Sequence, residues 1–102
     1  RLLKAGRTAR LSAERSIRME AEQTRIAVMS IIVEDRESAE ALNRLLHNYG
    51  NYIIGRMGLP YEKKKLSLMS VALDAPENII SELAGKVGNL PNISVKTAYA
   101  KR

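Results

Sequence analysis

The chain has 102 residues, one domain's worth of length, with 45% apolar residues and a formal charge of +6. It contains no cysteine, which excludes disulfides, thiol nucleophiles, Cys-ligated zinc or nickel sites and Cys-ligated iron–sulfur clusters. Its single histidine, His47, cannot form a His-rich metal site alone, and no apolar run reaches the ~18 residues of a membrane span.

The charge is uneven. Arg1, Lys4, Arg7, Arg10, Arg15 and Arg18 face Glu14 alone within the first 18 residues, a net +5. The other residues carry 11 basic and 10 acidic side chains, a net +1. A basic arm over 1–23 therefore precedes a near-neutral domain over 24–102, and the overall basicity says nothing of the domain's partners. The arm has too few apolar positions for a core of its own. Its stretch from Ser12 to Gln23 suits a polar helix capped by Ser12. Residues 1–18 are expected to be a native extension, a cloning remnant or read-through upstream of a start at Met19.

From Arg25 the pattern sharpens. Arg25 to Glu34 is β-branched and almost continuously apolar, which predicts a strand covered on both faces. Asp35 is placed to cap a helix in which Ala39, Leu42, Leu45, Leu46 and Tyr49 recur at helical spacing, with Gly50 as a stop able to take φ > 0. Asn51 to Met57 predicts a second strand, and Gly58 to Lys64 a connection. Lys65 to Leu73 predicts a third strand, apolar in both phases. Asp74-Ala75-Pro76-Glu77 predicts a second helix start with Asp74 as cap. Ile79, Ile80, Leu83, Ala84 and Val87 form that helix's apolar face, and Gly88 stops it. Asn92 to Ala100 predicts a fourth strand, with Ile93, Val95, Thr97 and Tyr99 on one side.

The order β-α-β-β-α-β is the split βαβ of ferredoxin-like α+β folds: a four-stranded antiparallel sheet with two helices on one face. Strands one and three would be central, in keeping with their apolarity in both phases. Two helices cover only one face of such a sheet. Strands one and three put Met29, Ile31, Leu68 and Met69 among residues of both phases, so apolar side chains are left pointing away from the helices. Self-association to a homodimer or homotetramer is the expected remedy.

No constellation for catalysis is present. There is no HExxH, GxSxG or GxxxxGK[ST] string, and no paired acids at catalytic spacing. His47 reads as a surface residue in the last helical turn, and Lys63-Lys64-Lys65 as a solvated hairpin loop. Met29 and Met69 read as core or interface fillers. The stretch from Tyr49 to Tyr61 is denser in unusual residues, with three of the four tyrosines and three of the six glycines. A glycine within a strand marks a bulge or the close approach of another backbone or ligand. Arg56 suits recognition of a carboxylate or phosphate, or an ion pair between subunits. Tyr52, Gly55, Arg56, Gly58, Tyr61 and His47 are therefore the candidate effector or interface residues.

Several strings carry a family resemblance: Arg25-Ile26-Ala27-Val28, Ile32-Val33-Glu34-Asp35-Arg36, Leu45-Leu46-His47-Asn48-Tyr49-Gly50, Tyr52 through Tyr61, and Leu90 through Lys96. With them the chain, from about Arg25 to Lys101, resembles a family of small candidate regulators of the iron-only hydrogenase system. The resemblance implies an ACT-like fold, similar to the C-terminal domain of nickel-responsive repressors, and a role in transcription regulation by an oligomeric, effector- or partner-binding domain. Two departures limit the implication. Nickel sensing in the related repressors needs several His and a Cys, so it is not carried over. Amino-acid-binding ACT domains usually have a glycine after the first strand, and Val33 to Ser38 has none.

Three functional readings follow. The first is a non-enzymatic regulatory protein that self-associates and binds a small-molecule effector or a partner. The second is nucleic-acid binding through the arm, with Arg7, Arg10, Arg15 and Arg18 neutralising phosphates, although no DNA-binding helix motif or stacking aromatic accompanies them. The third, an enzyme using His47 or Tyr61 as acid or base, has no supporting constellation. The expectation is a cytoplasmic protein with no catalytic residue, no metal, no cofactor and no membrane partner, reaching DNA only through the arm or a partner protein.

Overall fold

The computed structural model describes residues 23–101. The arm residues Arg7, Arg10, Arg15 and Arg18, and the helix expected after Ser12, lie outside the described residues.

The described chain runs β1 (Thr24–Val33), α1 (Arg36–Asn48), a short 3-10 turn (Gly50–Tyr52), β2 (Ile53–Tyr61), β3 (Leu66–Pro76), α2 (Glu77–Gly88) and β4 (Ile93–Tyr99). The strands form one antiparallel sheet in the order β2-β3-β1-β4. The two strands apolar in both phases are thus the central ones, and β2 and β4 are the edges.

Strand β1 alternates strictly. Ala27, Met29, Ile31 and Val33 are buried, while Ile26, Val28, Ser30 and Ile32 are exposed. The buried set meets Val71, Leu73 and Ala75 of β3, Leu42, Leu46 and Tyr49 near α1, and Ile80, Leu83 and Val87 of α2 in one core. Of the four residues expected to mark both phases, Met29 and Ile31 are core and Leu68 is exposed. Met69 packs partly buried against the core.

Asp35 caps α1 as expected, its carboxylate accepting the Ser38 amide at 2.6 Å. The same carboxylate accepts the Asn92 side-chain amide at 2.5 Å. The Asn92 carbonyl accepts the Glu34 amide at 2.9 Å. Ser38, the buried polar residue, donates its hydroxyl to the Pro91 carbonyl at 2.5 Å. The β1–α1 loop is therefore clasped to the α2–β4 loop. Asn92 takes φ of 60° to do so, a left-handed conformation asparagine tolerates better than most residues.

Three boundaries differ from expectation. No glycine among the described residues has positive φ, and Gly50 opens the 3-10 turn instead of reversing the chain. Asp74 does not cap α2, because β3 continues to Pro76 in register with Thr24 and holds Asp74 in the sheet beside Ile26. Pro76, whose ring presets φ, stands at the helix entry without a side-chain cap. Gly58 to Tyr61 is not a connection: β2 runs through it, and the turn is confined to Glu62–Lys65, with Lys65 at φ 57°.

Ile31→Ala removes a fully buried side chain from the middle of β1. It is expected to lower the unfolding free energy by about 2–5 kcal/mol in urea titrations.

Candidate functional site

The functional geography rests on one irregularity in β2. Ile53 pairs with Leu73 and Gly55 with Ala72, leaving Ile54 as an extra residue in a β-bulge. Paired residues share a sheet face and successive residues alternate. Uninterrupted pairing from Ile53 would set Arg56 opposite Ser70, on the face away from the helices. The bulge sets it opposite Val71, on the helix side, and turns Met57, Leu59 and Tyr61 outward.

The outward face is consequently apolar over most of its width. One row runs Leu59, Leu68, Ile32 and Ser94; the next runs Met57, Ser70, Ser30 and Lys96; a third runs Gly55, Ala72, Val28 and Ala98. Met57 is 71% exposed and Leu59 59%, while Ile26, Val28, Ile32 and Leu68 are each about 40% exposed, where soluble monomers rarely expose contiguous apolar patches. Between Leu59, Met57, Leu68 and Ile32 lies a shallow trough of about 430 Å³ with Ser30 and Ser70 along it. The charged residues in these rows and at Ile26 are Lys96 and Asp74, one of each sign.

On the helix side, β2 lies beyond the cover that the helices give to the central strands, and its residues are exposed apart from Ile53. A hollow of about 300 Å³ opens between the end of α1 and the start of β2. Asn43, His47 and Arg56 line it above Leu46, Gly50 and Ile53. Asn43 escaped the sequence reading because only the helical phase of α1 and the bulge in β2 together bring it near Arg56.

The candidate residues thus divide. Arg56 and His47 come together in the hollow. Gly58 borders the apolar trough, and Tyr61 and Gly55 lie on the open face. A β-carbon at Gly55 would meet nothing within 4 Å, so no close approach within the protomer requires that glycine. Tyr52 packs near Tyr49, ring centroids 6.5 Å apart. Lys63, Lys64 and Lys65 are exposed at the β2–β3 turn. Among the described residues no group of three His, Cys, Asp or Glu side chains is placed to hold a metal ion. No helix among them is long and apolar enough to cross a membrane.

Two polar clusters are structural. The buried Tyr49 hydroxyl donates to Glu82 and accepts from Lys86 at 2.8 Å, joining the end of α1 to α2. The Tyr49 hydrogen bond holds the Glu82 carboxyl below its ordinary 4.5, with Lys86 adding to it, and raises Lys86 above its ordinary 10.5. At the loop clasp, the Ser38 amide and then the Asn92 side chain hold Asp35 below 3.8.

A family model described as "Iron-only hydrogenase system regulator, putative" matches residues 25–97. Among solved structures, that of the TM1266 protein from Thermotoga maritima is similar at 33% identity and a TM-score of 0.74, covering 76% of this chain and 99% of that one. The ACT domain of GTP pyrophosphokinase from Chlorobium tepidum is similar at 12% identity and a TM-score of 0.63, over 74% of this chain and 99% of that domain. The C-terminal domain of the MgtC protein from Mycobacterium tuberculosis is similar at 10% identity and a TM-score of 0.62, over 79% of this chain and 93% of that domain. These last two share the fold, which is ACT-like. No curated protein matches the chain.

Two outcomes are expected. Asp35 and Glu82 have depressed folded pKa values, so their stabilisation is complete above the ordinary carboxyl values and is lost as pH falls through the folded ones. The urea midpoint should fall as the pH drops below about 4, and fall less steeply in Asp35→Ala. Arg56, with no ion pair or hydrogen bond among the described residues, is different: Arg56→Ala should leave protomer stability within about 0.5 kcal/mol of the parent, measured in urea under monomeric conditions.

Proposed function

The chain belongs to the TM1266-like family of iron-only hydrogenase system regulators, and from that membership we propose that it is a non-enzymatic regulatory module that works as a self-associated assembly. The observation that carries the reading is the open sheet face, with Ile26, Val28, Ile32, Met57, Leu59 and Leu68 exposed together. Burying such a surface is favourable by roughly 25 cal/mol for each Å² of apolar area removed from water.

A second copy of this chain is the occupant. The face carries Lys96 at one edge strand and Asp74 on β3, so two copies meet without an excess of like charge. The β2 edge is less suited to pairing. Pro60 sits in β2, and a proline in a sheet has no N–H to offer a neighbouring strand. The regulatory side of the reading is supported by the family; ACT-like architecture alone would not decide it.

Static light scattering of the full chain at micromolar concentration should give an integral multiple of the protomer mass. Ile32→Lys should reduce it to the protomer mass with the circular dichroism spectrum kept, because Ile32 points away from the core. A parent chain that scatters as a protomer would sink the self-association.

A further inference from the structure

We propose that the hollow between α1 and β2 is an effector site for a small molecule bearing a carboxylate or phosphate on an apolar stem, with Arg56 as its principal ligand. The proposal rests on the regulatory reading above and adds the chemistry that would be sensed.

Arg56 has no hydrogen bond or ion pair among the described residues. The ion pairs among those residues join Arg25 to Glu77 and Lys86 to Glu82, and the cation–π contacts are those of Arg25 and Lys86. Every other polar side chain lining the hollow can donate: Asn43 through its amide and His47 through its ring. No acid lines it. A guanidinium fork beside two further donors is matched to an oxyanion, which accepts in two or three directions at once. The floor, Leu46 and Ile53, is apolar and suits a short hydrocarbon stem. The volume of about 300 Å³ lies at the lower end of small-molecule sites.

The end of a helix is ordinarily poor ground for an anion, because its last carbonyls point outward. Here the Leu46, His47 and Tyr49 carbonyls are engaged. The Tyr49 amide donates to Leu46 and His47, and the Tyr52 amide donates to Tyr49 at 3.0 Å. The turn of chain that follows α1 thus occupies part of the acceptor set at that end.

The bulge is the second independent observation. Bulges re-aim side chains, and this one takes the single cation of β2 from the open apolar face to the hollow. Left in plain register, Arg56 would lie amid the surface proposed to bury against a second copy. The same extra residue therefore clears one face and equips the other.

The test is a ¹H–¹⁵N NMR titration of the full chain with butyrate, butyl phosphate, inorganic phosphate and butylamine, alongside light scattering of the same samples. Butyrate or butyl phosphate should produce saturable shifts centred on Asn43, His47, Gly50 and Arg56, and whichever binds tighter identifies the head group. Butylamine should produce none. Arg56→Ala should weaken binding about ten- to hundredfold, and Arg56→Lys less, since a point charge keeps attraction but loses the fork. No saturable shift from either alkyl anion up to about 10 mM, or undiminished binding in Arg56→Ala, overturns the site. An assembled chain that binds no anion sinks the site alone; a protomer that binds it sinks self-association and leaves the site standing.

Discussion

A strand presents alternate residues to opposite sides of its sheet, and two helices can roof only one of those sides. Most of what distinguishes this domain follows from that pair of constraints. The central strands β1 and β3 satisfy them by giving their larger or more apolar residues to both sides: Met29, Ile31, Val71 and Leu73 to the helices, Val28, Ile32 and Leu68 to the open face. The edge strand β2 meets them through Ile54, which changes the phase of everything after it. The hollow beside α1 and the apolar open face are two results of the same phase change.

The polar interactions have a different task. They fix loops and helices to one another while leaving the open face alone. Asp35 caps α1 and holds Asn92, Ser38 reaches Pro91, and Tyr49 joins Glu82 and Lys86. Each buried donor or acceptor in this group has a partner, so the helix layer is held by satisfied hydrogen bonds as well as by packing. Arg25 extends the pattern to the far end of β1, stacking 4.2 Å from the Tyr99 ring centroid and pairing with Glu77 at 3.2 Å.

The order of elements, the central position of β1 and β3, the Asp35 cap and the surplus apolar face were all legible in the sequence, because each is carried by local periodicity or by a residue with one strong preference. The failures share a cause. Asp74-Ala75-Pro76-Glu77 has the makings of a helix start, but ladder pairing with Thr24, Arg25 and Ile26 keeps the first three residues in the sheet. Gly58-Leu59-Pro60-Tyr61 looks like a turn, but pairing with Leu66 to Met69 extends it. Tertiary pairing overrides local propensity in both places. The glycines of β2 signalled a bulge, yet its position, and hence the side on which Arg56 falls, depends on the partner strand. The meeting of Arg56 with His47 and Asn43 was therefore invisible from spacing.

Pro60 bears on how large an assembly of this chain can grow. A free sheet edge that accepts a neighbouring strand hands on another free edge, so addition along edges has no natural end and leads toward fibres. Two faces laid on each other about a two-fold axis consume the surface that joined them. In the face-to-face assembly proposed above, the proline-interrupted β2 edge therefore works against open-ended growth from that side of the sheet.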